Sequence, residues 1–186
     1  MNRRLYRPVG LKEMELILQN NAFPPRFEWQ PIFYPVLNFE YALQIARDWN
    51  PQDVNSGYCG FVTAFNIDQQ YTDQFEEHTV GAAIHRELWI PSEELATFNQ
   101  HIQGRIAIEA VFYGENFQGS KHADEMFMIL YNAADLAAEI TANFIPIQIN
   151  FPYWTQTVIQ GEKSRFLDSL AAIWIQIFPD MSLFKP

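Results

Sequence analysis

His85-Arg86-Glu87-Leu88-Trp89-Ile90-Pro91 sets one carboxylate in a run of apolar and aromatic residues, and the fold turns on how this stretch is read. Read as a strand, it places His85, Glu87 and Trp89 on one face and Arg86, Leu88 and Ile90 on the other. Two earlier blocks share its character: Leu5-Tyr6-Arg7-Pro8-Val9-Gly10 and Phe33-Tyr34-Pro35-Val36-Leu37-Asn38. Each is a strand or strand end with one polar side chain among apolar neighbours. Between them lie segments of helical spacing, so the pattern is that of an α+β domain.

Working outward, Leu5–Val9 is the first expected strand and Leu11–Asn20 a short amphipathic helix. The prolines in Pro31–Val36 demote that run to an edge or strand end. Asn38 is a good N-cap for a helix over Phe39–Trp49. Tyr58–Ile67 and Arg105–Tyr113 read as strands, and Ser92 with Glu93 and Glu94 reads as a capped helix start. Gly114–Gly119 marks a boundary. Beyond it, one long helix is expected over Ala123–Phe144, a short strand over Ile145–Phe151, and a last helix from Gly161 that Pro179 ends. The division is therefore residues 1–118 as an α+β domain with a split, mostly antiparallel sheet and flanking helices. Residues 119–186 follow as a C-terminal helix-strand-helix extension packed on it.

Of 186 residues, 12 are Lys or Arg and 22 are Asp or Glu, for a net charge of −10. Such a surface repels phosphate backbones, so no nucleic-acid partner is expected. It also makes the few arginines informative, because an anionic ligand needs a local cation. Cys59 is the only cysteine, which excludes an internal disulfide and a cysteine-rich metal site. His78, His85, His101 and His122 show no metal-binding spacing, and the acids form no paired clusters, so no metal is expected. There is no GxGxxG, P-loop or GxSxG motif. The N-terminus lacks a signal-peptide apolar region and no run is long enough to span a bilayer, so a cytoplasmic protein without a membrane partner is the expectation.

The three blocks together offer a cation, an aromatic face and a carboxylate. Those are the groups needed to hold a dinucleotide and stabilise a positively charged ribosyl centre. Arg7, in a stretch that should be largely buried, needs a partner, either a ligand phosphate or a carboxylate such as Glu87. Tyr34 can stack on a flat heterocycle or serve in the core, with Tyr6 and Tyr41 as rivals for the stacking role. Glu87 can hydrogen-bond a ribose hydroxyl and stabilise an oxocarbenium-like transition state, or it can simply pair with Arg7, Arg26 or Arg47.

The blocks also carry a resemblance. With Phe-Pro-Pro-Arg at 23–26, Ile-Ala-Arg-Asp-Trp-Asn at 45–50, Gly-Phe-Val-Thr at 60–63 and Phe-Asn-Gln-His-Ile at 98–102, the stretch 5–112 resembles a small bacterial family labelled "ADP-ribosylation/crystallin". The paired acidic clusters of magnesium-binding ADP-ribosyl hydrolases are not in this chain. The order Arg, Tyr, Glu on successive blocks resembles the ADP-ribosyltransferase fold, a split sheet clasping NAD. That resemblance implies a catalytic Glu87 and NAD-binding roles for Arg7, Tyr34, Tyr6 and His85. It implies NAD as small-molecule substrate and a protein as possible acceptor or partner. His85 stands where many transferases carry Gln or Glu, and the second block lacks a Ser-Thr-Ser form. The rival expectations are an NAD or ADP-ribose hydrolase and a non-catalytic interaction protein, the latter with Arg7 and Glu87 as a buried ion pair.

Overall fold

The structure is a computed structural model that describes residues 1–158 and 160–186. The chain divides into two compact units, Met1–Glu115 and Asn116–Pro186. The class is α+β, with antiparallel strands in the first unit and helices in the second.

The first unit opens with β1 (Asn2–Val9) and α1 (Leu11–Asn20), followed by β2 (Ile32–Phe33) and α2 (Phe39–Asp48). β3 (Cys59–Asp68), the one-turn α3 (Gln69–Thr72), β4 (Glu77–Thr79), β5 (Arg86–Leu88) and β6 (Ile90–Pro91) come next, then α4 (Leu95–Gln100) and β7 (Ile102–Tyr113). β1, β3 and β7 form an antiparallel sheet in that spatial order, with β3 central. Burial explains the placement: seven consecutive residues of β3, Cys59–Phe65, are buried, as a strand covered on both faces requires. Leu5, Phe23, Phe33 and Phe98 gather around its Phe65, all essentially inaccessible.

The Pro31–Val36 run forms only the two ladder residues of β2, because Pro31 and Pro35 have no N–H to give. Val36 nevertheless bridges Tyr6 on one side and Glu87 on the other. Its N–H and carbonyl both bond to Tyr6, while Leu37 N–H donates to Arg86 and Leu88 N–H to Pro35. This single residue therefore links β1 to the β4–β5 hairpin. Asn38 caps α2 as its sequence implies, accepting from Tyr41 N–H at 3.0 Å. Ser92 does not cap: Ser92–Glu94 is a 3₁₀ turn, and the α-helix begins at Leu95.

The second unit contains α5 (Ala123–Tyr131), α6 (Leu136–Ala142), α7 (Phe144–Thr157) and α8 (Glu162–Ile177) around Phe127, Ile140, Phe151, Trp154, Leu170 and Trp174. Two expectations are corrected here. The long helix over 123–144 is broken, because Asp135 starts a new one by accepting from Ala138 N–H at 3.0 Å. The expected strand at 145–151 is the first half of α7. Every residue from Pro146 to Pro152 is buried, so the segment has no polar face to betray a helical period. Pro146 falls in the first turn, where its missing N–H costs nothing. No helix among the described residues is long and apolar enough to cross a membrane.

Candidate functional site

Arg7, Tyr34 and Glu87, drawn from three separate blocks, line one cleft of about 210 Å³ together with Pro8, Val36 and Ile45. The Val36 bridges bring the three blocks together, since Tyr6, Val36 and Glu87 lie opposite one another on neighbouring strands. Tyr34 and Pro8 are each two residues from a bridge member and so share its face. Ile45 of α2 closes that side. Alternation sends Arg7 to the opposite face from Tyr6, and its guanidinium lies over the Phe33 ring, 5.2 Å from the centroid.

Glu87 is 8% exposed. The Nε1 of Trp89 donates to its Oε1 at 2.7 Å. No cation lies within 4.0 Å of it among the described residues. The ion pairs anticipated for it do not form: Arg7 and Arg26 both face Glu13, and Arg47 pairs with its neighbour Asp48. The Glu87 charge is felt by Tyr41, whose hydroxyl is pushed above its ordinary range first by burial and then by that carboxylate.

Arg7 is tied at two points. Its Nη1 donates to the Tyr34 carbonyl at 3.1 Å and its Nε to Glu13 at 3.4 Å. The Thr63 hydroxyl bonds the Arg7 carbonyl at 2.7 Å and fixes the backbone beneath it. These contacts use two of five guanidinium N–H donors. The Tyr34 ring meets the Trp89 ring edge-on at 5.9 Å.

Tyr6 and His85 do not line the cleft. Tyr6 packs edge-on against Phe39 at 5.8 Å, and His85 stacks on Tyr41 at 4.4 Å with Nε2 3.0 Å from Gln44 Oε1. The residues whose contacts sequence reasoning missed are Trp89, Glu13 and Arg26. Trp89 had been placed on the face of Glu87, but alternation could not show that its N–H reaches the carboxylate. Arg26 is offered by the sequence only as a partner for Glu87, and in the structure it faces Glu13 instead.

The residues lining the cleft thus include a buried carboxylate from Glu87, an aromatic residue, Tyr34, and a cationic one, Arg7. Among the described residues no group of three or more His, Cys, Asp or Glu side chains is placed to hold a metal ion. Comparison with protein-family models, curated proteins and solved structures finds no match to this chain.

Proposed function

We propose that the cleft receives the nicotinamide-ribosyl end of NAD and that the protein transfers ADP-ribose from it to an acceptor. The observation that carries this reading is the state of Glu87: a buried carboxylate that lines the cleft, accepts from the Trp89 indole and has no cation within 4.0 Å among the described residues. A desolvated anion without a counter-charge is costly to maintain. It is matched when positive charge develops beside it.

In the reaction, the bond between ribose C1′ and the nicotinamide nitrogen breaks, and its electron pair leaves with neutral nicotinamide. Glu87 accepts a hydrogen bond from a ribose hydroxyl and stabilises the ribosyl cation. The acceptor's nucleophile then bonds to C1′ and gives up its proton to solvent water. Tyr34 supplies a face for the nicotinamide ring, and Arg7 a donor for a phosphate or ribose oxygen. At about 210 Å³, the cleft is smaller than the about 300–1,000 Å³ that enclose a drug-sized molecule. It therefore takes the reacting ring and sugar, with the rest of the dinucleotide outside.

The test is proton NMR of NAD mixed with the protein, following free nicotinamide and ligand line-broadening together. Release that disappears in Glu87→Gln, with the fold unchanged by circular dichroism, is the expected result. Absence of both release and broadening at millimolar NAD overturns the reading in favour of an interaction protein.

A further inference from the structure

Beside the cleft, two arginines share one carboxylate. Arg7 Nε lies 3.4 Å from Glu13 Oε1, and Arg26 Nη1 lies 3.7 Å from the same oxygen. The side chains are 14%, 10% and 21% exposed for Arg7, Arg26 and Glu13. Arg26 Nε is buried and has no hydrogen-bond partner among the described residues. Both separations exceed the about 2.7–2.9 Å of a tight charge-assisted bond.

Two desolvated cations against one anion leave an uncompensated positive charge. Its effect is visible at Arg26, whose guanidinium is held below its ordinary range by burial and then by the Arg7 charge, with Glu13 opposing. Buried guanidinium groups need hydrogen-bonding anions, and the planar fork of arginine matches phosphate oxygens. A single shared carboxylate at these distances leaves most of that capacity unused.

We propose that Arg7 and Arg26 form a paired-guanidinium subsite for a phosphate or pyrophosphate group, which Glu13 screens until the anion arrives. The subsite deepens the NAD reading and rests on it only for the identity of the ligand. Phe27 and Trp29 follow Arg26 in the chain, with exposed rings stacked 4.7 Å apart and 2° from parallel. They offer a flat apolar surface to a base carried by that phosphate.

Calorimetric titration of the full chain with inorganic pyrophosphate, and separately with ADP, tests the subsite. Arg26→Gln is expected to weaken pyrophosphate binding about tenfold, the equivalent of one charge-assisted bond. Glu13→Gln is expected to tighten it, because the competing carboxylate is gone, and misfolding cannot produce a gain of affinity. Tighter binding of ADP than of pyrophosphate marks a nucleotide source; equal binding marks an inorganic oxyanion, and either supports the subsite. No pyrophosphate binding by the unaltered chain, or an affinity unchanged in both variants, overturns it. Glu87→Gln is expected to leave pyrophosphate binding unchanged, so failure of the subsite and failure of the NAD chemistry are read separately.

Discussion

The indole Nε1 of Trp89 donates to Glu87 Oε1 at 2.7 Å, although the two residues are only two apart in the chain. Strand alternation puts them on one side, and two further rings hold the indole there. His78 stacks on it at 4.0 Å, and Tyr34 meets it edge-on at 5.9 Å. The carboxylate is therefore aimed by an aromatic cluster rather than by an arginine.

Trp89→Phe keeps a ring in this cluster and removes the donor. A hydrogen bond to a charged group contributes about 1.5–3 kcal/mol, and the partial exposure of Trp89 puts the expected loss at the lower end. Urea unfolding should show a fall of about 1–2 kcal/mol, and nicotinamide release should drop about tenfold. Unchanged stability and rate would mean that the indole does not position Glu87.

Gly60 lies in β3 where α2 crosses it. A Cβ at this position falls 2.0 Å from the Ala46 carbonyl oxygen, a backbone atom that cannot step aside. Gly60→Ala is expected to force α2 off the sheet locally and to cost about 3 kcal/mol or more. Gly104 provides the contrast: nothing lies within 4 Å of its Cβ position, but its φ is +77°. Gly104→Ala is expected to cost only about 1–2 kcal/mol, the strain of a left-handed residue. Equal melting temperatures for the two variants would show that the close approach of α2 is not a constraint.

These contrasts bear on how much was legible beforehand. The first unit announces itself because Arg105–Tyr113 alternates, Tyr58–Ile67 is rich in aromatic and β-branched residues, and its turns carry Gly, Pro and Asn. Arg7, Tyr34 and Glu87 could be singled out as polar residues in apolar blocks, and one cleft does gather them. Their partners could not be named, since Arg7 meets Glu13 on the next helix and not the distant Glu87. Tyr6 and His85 were equally plausible by type, and only their packing on Phe39 and Tyr41 shows that they do not line the cleft. In the second unit, Pro146–Pro152 of α7 is buried on every side, and a helical segment without a solvent-facing stripe is indistinguishable from a strand by pattern.

Cys59 is fully buried in β3, and burial pushes its thiol up to about 12. At pH 8 the native thiol is neutral and inaccessible, so a disulfide-exchange reagent is expected to react only as fast as the chain unfolds. The unfolded chain ionises this thiol near its ordinary value and the native chain does not. The stabilising contribution is therefore complete below about pH 9 and is lost as pH rises toward 12. Tyr71 adds to the loss in the same direction, because burial and then the Glu94 charge also push its hydroxyl up to about 12. Urea midpoints should fall between pH 8 and pH 10; a midpoint that rises contradicts the assignment.

Asn150, buried in α7, performs for the turn before α5 what a neighbouring strand performs for a β-residue. Its Oδ1 accepts from Ser120 N–H at 3.0 Å, and its Nδ2 donates to the Ser120 carbonyl at 2.8 Å. Asn99 clamps Phe23 in the same way, at 2.9 Å for both bonds. The turn needs holding: Gly119, Lys121 and His122 all have positive φ, at +84°, +52° and +52°. Asn150→Ala removes both bonds to the Ser120 backbone and is expected to cost about 1–3 kcal/mol. Asn150→Asp gives a sharper result. The ionised carboxyl can accept from Ser120 N–H but faces the Ser120 carbonyl with no proton to donate, whereas the protonated form restores both bonds. The introduced carboxyl thus has a raised native pKa. Its favourable contribution is complete below the unfolded value of about 3.9 and is lost as pH rises. The variant should therefore lose less stability than the unaltered chain on acidification from pH 7 to pH 4, narrowing the gap between them. A gap that widens or stays constant would show that the two Ser120 bonds do not hold this turn.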